Sequence, residues 1–103
     1  MSITDKQKRW LRQQSHHLKP IVTVGQHGIT EALLAELDQA LSHHELMKVK
    51  ITGGDRDQRD AAIERITQCT GADLIGRIGH VASFYRANPD KPNPILLQGG
   101  RPA

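Results

Sequence analysis

Very little in this chain would support redox, membrane or ring-stacking chemistry. Among 103 residues there is one cysteine, Cys69, and one each of tryptophan, tyrosine and phenylalanine. A single thiol excludes an internal disulfide and fits a reducing compartment. Trp10, Phe84 and Tyr85 are too few to build a platform on which successive bases stack. No apolar run approaches the roughly 18 to 20 residues a membrane span needs, so no membrane partner is expected. The opening Met1-Ser2-Ile3-Thr4-Asp5-Lys6 lacks the basic-then-apolar pattern of a secretory signal, and a cytoplasmic protein is expected. Six histidines are many for this length. Two pairs, His16-His17 and His43-His44, are adjacent, and no Cys or His spacing resembles a closed zinc site, so neither a metal nor any other cofactor is expected.

What is present is an uneven charge. The net charge is +3 with 14 Lys and Arg against 11 Asp and Glu, a moderate excess whose distribution matters more than its size. Residues 1–30 hold five basic groups and one acid, residues 31–45 hold four acids and no Lys or Arg, and residues 46–54 hold two lysines. An acidic segment therefore sits between two basic ones.

The periodicity predicts a helix from Asp5 to Gln14 capped by Thr4, with Ile3, Gln7, Trp10, Leu11 and Gln14 on one side and Lys8, Arg9 and Arg12 on the other. Trp10 is expected as a core anchor. Ile21 to Val24 reads as a short buried strand. A second helix carries Leu33, Leu34, Leu37, Ala40 and Leu41 at helical spacing, and His43 and His44 close it. Leu46 to Ile51 alternates, with Met47, Val49 and Ile51 pointing one way and Lys48 and Lys50 the other. Asp55 is the expected cap of a third helix, with Gln58 at the capping-box position. Its inner stripe is read as Ala62, Ile63, Ile66 and Cys69, and Gly71 ends it. Ala72 to Ile78 and Val81 to Arg86 flank Gly79-His80 as a hairpin. Of its rings, Phe84 is expected in the core and Tyr85 toward the open face. The order α-β-α-β-α-β-β describes a single layered α/β domain over residues 1–87 with a four-stranded mixed sheet, and the Pro, Asn and Gly content of residues 88–103 predicts a flexible tail.

One stretch carries most of the functional signal: Gly25-Gln26-His27-Gly28, entered from a β-branched strand and left through a helix capped by Thr30. Two glycines let the backbone turn sharply and approach another chain closely. The free N–H groups and positive dipole end of the following helix favour an anion there. A lone GxxG is a weak motif, but its placement between strand and capped helix, with Lys19 just before the strand, points to a phosphate clamp. Lys48 and Lys50, sharing one sheet face, are candidates for the neighbouring contacts.

The ordered combination of LKPIVTVGQHGIT, LDQALSHHELMKVKI and IGHVASFYR resembles the CRM domain, named for chloroplast RNA splicing and ribosome maturation, in its bacterial single-domain branch. That resemblance covers about residues 3 to 87. It implies a fold similar to the C-terminal domain of translation initiation factor three and a non-catalytic RNA-binding protein; a monomer without a small-molecule substrate is expected. Its implied partner is large-subunit ribosomal RNA or its precursor particle. It likens the Gly25–Gly28 loop to the backbone-clamping loop of KH domains. The basic surface it implies maps onto Lys19, Lys48 and Lys50, with Arg9, Arg12, Arg77 and Arg86 as further contacts. The chain departs from the pattern in the last hairpin, where His80-Val81-Ala82-Ser83 stands in place of a more basic run.

Other classes fit less well. A P-loop needs a Lys-Ser or Lys-Thr after its glycines, and Gly28-Ile29-Thr30 supplies no lysine. Cys69 has no adjacent base to make it a nucleophile. A protein-interaction module without RNA, docking through Ile95-Leu96-Leu97, is the competing reading, and it predicts binding indifferent to salt.

Overall fold

Three N-caps set the helices of the structure, a computed structural model that describes residues 3–88 and residue 90. Thr4 opens α1 (Asp5–Ser15), Thr30 opens α2 (Glu31–His44) and Asp55 opens α3 (Arg56–Thr70), each through a side-chain oxygen that accepts an N–H of the first turn. The Thr4/Gln7 and Asp55/Gln58 pairs are full capping boxes, which satisfy donors the helix itself leaves unmade. At its far end α3 closes on Gly71, whose φ of +74° suits a residue without a Cβ.

Between the helices run β1 (Pro20–Val24), β2 (Leu46–Ile51), β3 (Asp73–Ile78) and β4 (Val81–Tyr85), in the spatial order β1-β2-β4-β3. β1 and β2 are parallel and the other two pairings are antiparallel. The sheet is therefore mixed, as the element order predicts. Register shifts at Ile21 in β1 and at Ile75 in β3 mark bulges.

The sheet has helices on both faces. α2 and α3 cover one, where Val22, Val24, Leu37, Leu41, Met47, Val49, Ile51, Ile63, Ile66, Ala82 and Phe84 form the main core. α1 lies on the other, where Leu11, Leu46, Ile75 and Tyr85 form a second cluster with Ile3 and Trp10 packed at its edge. This arrangement corrects two expectations. Tyr85 does not face an open surface: it is 3% exposed beneath α1. Cys69 is exposed, because the inward stripe of α3 runs through Ile63, Ile66 and Thr70. Thr70 tolerates burial since its hydroxyl donates to Ile66 O at 2.6 Å and accepts the Ala72 N–H.

Desolvation under α1, with added repulsion from the Glu45 and Asp73 carboxylates, pushes the Tyr85 hydroxyl up to about 12. The fold thus favours the neutral phenol. The resulting stability is complete below pH 10, the ordinary tyrosine value, and drains away as pH rises toward 12, by about 2 to 3 kcal/mol in all. Tyr85 is the sole tyrosine, so an absorbance titration reads it directly. Phenolate is expected only near pH 12 or with unfolding, and Tyr85→Phe should flatten the alkaline loss. Phenolate forming at pH 10 in an intact fold would contradict the buried placement.

No helix among the described residues is long and apolar enough to cross a membrane. The tail expected over 88–103 lies outside the described residues except for Asn88 and Asp90. Asn88 is tied to the domain, its N–H donating to Glu45 Oε2 at 2.9 Å and its side-chain amide to Ser42 O at 2.8 Å.

Candidate nucleic-acid interface

Three connections meet at one end of the sheet. The first is Gly25–Gly28, closed as a turn by the Gly28 N–H donating to Gly25 O at 3.1 Å. Gly28 has φ +70°, and neither Gly25 nor Gly28 has any atom within 4 Å of where a Cβ would stand. Gln26 and His27 are exposed at its tip. The second is the β2–α3 turn, Thr52 to Asp55. It is fastened to the end of β1 by Thr52, whose N–H and hydroxyl both donate to Val24 O, at 2.9 and 3.2 Å. The third is the Gly79-His80 hairpin, whose His80 carbonyl accepts the Ile51 N–H at 2.7 Å. Two helix N-termini, those of α2 and α3, therefore open beside the glycine loop.

The support under the loop is Gly53. A Cβ there would overlap the Gly25 carbonyl oxygen and fall 2.6 Å from the Gly25 carbonyl carbon and 2.8 Å from Gln26 Cα. Only a residue without a side chain lets the second turn lie flat against the first. The sequence shows Gly53-Gly54 as a plain turn, and nothing local in it signals this long-range contact.

The basic candidates do not all gather at the loop. Lys50 lies opposite Thr23 in the β1–β2 register, one strand position before the loop end, and is exposed. Lys48 lies opposite Pro20, on the same face and farther from the loop. Lys19 precedes β1 at that farther end. Arg9 is exposed on α1. Arg12 turns toward the sheet: its Nε and Nη2 donate to Ile75 O at 3.4 and 3.3 Å, and its stem lies over Gly76.

Arg77 and Arg86 have other partners. Arg77 projects to the α3 side and pairs with Asp60, and its guanidinium holds that carboxyl below the usual range. Arg86 donates to Asp38 Oδ1 at 2.6 Å and to Thr70 O, Asp38 O and Ser42 Oγ, each at 2.8 Å. Those partners sit in the second half of α2 and the last turn of α3, at the opposite end of the domain from the glycine loop. Sequence reasoning in turn passed over Arg56 and Arg59 at the start of α3, beside the loop. Arg59 Nη1 donates to Gly54 O at 2.7 Å and so braces the supporting turn.

A glycine turn that feeds a capped helix, next to a sheet face carrying two lysines without a carboxylate partner among the described residues, defines a class: a small α/β domain with a glycine loop at one end of a mixed sheet. The chain belongs to the CRS1/YhbY (CRM) domain family, whose model matches residues 3–86. It is 44% identical over 96 residues to a Pseudomonas aeruginosa protein named as a probable RNA-binding protein, covering 93% of this chain and 91% of that one. It is 42% identical to a Haemophilus influenzae protein named as RNA-binding, covering 86% and 90% of the two chains. The solution structure of a hypothetical protein from Staphylococcus aureus superposes with a TM-score of 0.75 at 32% identity, over 87% of this chain and 95% of that one.

Proposed function

We propose that this protein is a non-catalytic RNA-binding protein of large ribosomal subunit assembly, gripping the RNA backbone with the Gly25–Gly28 loop and the adjacent basic surface. The observation that carries the reading is the loop itself. Both glycine flanks are open to an approaching chain, φ is positive at Gly28, and Gly53 braces the turn from below. A phosphate seated there approaches the loop backbone and the N-terminus of α2 with no Cβ of Gly25 or Gly28 in its path. Lys50 and then Lys48 extend the positive surface along the sheet, in the manner of contacts that position a backbone rather than read bases. The RNA-binding names of the relatives support the choice of polymer.

The test is binding to large-subunit ribosomal RNA fragments across a salt series, beside a variant with Gln26→Asp and His27→Asp. Both side chains are exposed, so the variant should fold normally. Affinity is expected to fall steeply with salt and to drop at least tenfold in the variant, about 1.4 kcal/mol or more. If wild type and variant bind alike, the loop is only a turn. Partner binding that ignores salt would favour a protein-interaction module.

A further inference from the structure

α1 covers only one end of its sheet face. It packs over Leu46, Ile75 and Tyr85, and beyond them the face opens into a groove of about 530 Å³ between α1 and the strands. That volume lies within the range of pockets that hold small ligands. The floor and far wall are mostly apolar, Pro20 on the edge strand, Val81 on β4 and Ile78 at the end of β3, with the Ser83 hydroxyl among them. Ile78 is 74% exposed, so its side chain is open to a ligand. The near wall is cationic, made by Arg12 and Lys48, and among the described residues no Asp or Glu lines the groove. Neither Arg12 nor Lys48 has a carboxylate partner among the described residues, unlike Arg77 on Asp60 and Arg86 on Asp38. Arg12 is also fixed in place. Two of its five N–H donors are held by Ile75 O, and its stem lies over Gly76. Three donors remain for a ligand.

An apolar floor beside two uncompensated cations matches one chemistry closely, an unstacked nucleotide with a flat ring and a phosphate. An acidic peptide would satisfy the cations but has no reason to require the flat apolar floor. Because the chain has so few aromatics, aliphatic side chains must supply the surface that rings supply elsewhere. The register also connects the groove to the loop. Pro20 and Lys48 lie at its level, Thr23 and Lys50 lie next along the same face, and Gly25 follows. We propose that this groove is a second RNA subsite, which takes one unstacked nucleotide of the strand held at the glycine loop. Its base lies against Ile78, Val81 and Pro20, and its phosphate meets Arg12 and Lys48. The proposal rests on the RNA-binding reading and adds a base-contacting site to a loop that contacts only backbone.

The test uses the full chain with isotope-labelled amides. Uridine monophosphate is titrated in parallel with inorganic phosphate, followed by affinity for a short oligouridine. Uridine monophosphate is expected to give saturable shifts at Gly76, Ile78 and Val81 that inorganic phosphate does not reproduce. Equal shifts from phosphate alone would show an adventitious anion site and overturn the proposal, as would no shifts at these residues. Ile78→Asp places a carboxylate in the acid-free groove at an exposed position where the fold has little to lose, and oligouridine affinity is expected to fall at least tenfold. If Ile78→Asp binds as wild type while the loop variant fails, the groove is refuted and the loop stands. Loss in Ile78→Asp with none in the loop variant keeps the groove and removes the loop. An oligouridine that does not bind refutes the groove, while the loop stands or falls with the ribosomal RNA titration.

Discussion

Replacing Arg86 with alanine is expected to destabilise the fold by about 2 kcal/mol or more while leaving RNA affinity of the folded protein unchanged. The guanidinium makes four hydrogen bonds that bridge α2 to the end of α3. Hydrogen bonds to charged groups contribute roughly 1.5 to 3 kcal/mol net each, and partial exposure of Arg86 and Asp38 reduces that. The Thr70 carbonyl belongs to the last turn of α3, whose final carbonyls have no partner within the helix. A cation there also meets the negative end of the helix dipole. The same joint contains Glu45, fully buried at φ +62°, whose carbonyl accepts the Arg86 N–H at 2.8 Å and whose carboxylate accepts from Asn88. For a domain of this size a loss of 2 kcal/mol lowers Tm by on the order of 10 °C. Arg86→Lys should recover little, since an ammonium cannot reproduce a planar fork that reaches two helices at once. Thermal melts and RNA titrations on the three proteins check this. A variant that melts as wild type but binds RNA weakly would return Arg86 to the interface.

Arg86 follows Tyr85 at the end of a strand, and a basic residue there looks the same whether it meets a phosphate or a helix end. Its partners lie 16 to 48 positions away, beyond any local pattern. The features that were legible are the short-range ones. Thr4, Thr30 and Asp55 with Gln58 are caps by residue type and spacing, Gly71 is a terminator, and the alternation of Leu46 to Ile51 states which face each lysine takes. The burial of Tyr85 was not legible, because the stripe of Ile3, Gln7, Trp10 and Leu11 says that α1 has an inward side without saying which face of the sheet receives it. The chosen face decides both the fate of Tyr85 and the existence of the groove. The outward position of Cys69 has a smaller cause. Ile66 fits a stripe ending at Cys69 as well as one ending at Thr70, and hydrophobicity favours the cysteine, but the hydroxyl can bond its own helix and be buried.

The glycine loop was legible as a motif, whereas its support was not, and Gly53→Ala separates the two. The substitution is expected to lower RNA affinity at least tenfold at a stability cost of about 1 to 3 kcal/mol, the usual range for overpacking. The added Cβ meets backbone on the other side, the Gly25 carbonyl and Gln26 Cα, so no side chain can rotate away to accommodate it. One of the two turns must move. The β2–α3 turn is held by Thr52 on Val24 O, by the Asp55/Gln58 box and by Arg59 on Gly54 O, while the Gly25–Gly28 turn closes on one internal hydrogen bond. The less restrained glycine loop should therefore be the one displaced, carrying its N–H groups away from a bound phosphate. Lost stability alone must be excluded as the cause. Gly71→Ala serves for that, since φ +74° makes any side chain there strained, with no atom nearby to clash and a cost of about 1 to 2 kcal/mol. It lies at the far end of α3, away from the loop. Reduced affinity in Gly53→Ala with normal affinity in Gly71→Ala assigns the loss to loop position, and amide shifts confined to Gly25–Ile29 would accompany it. Equal affinities in both variants and wild type would mean that RNA does not depend on where this loop sits, and the clamp reading would fall with them.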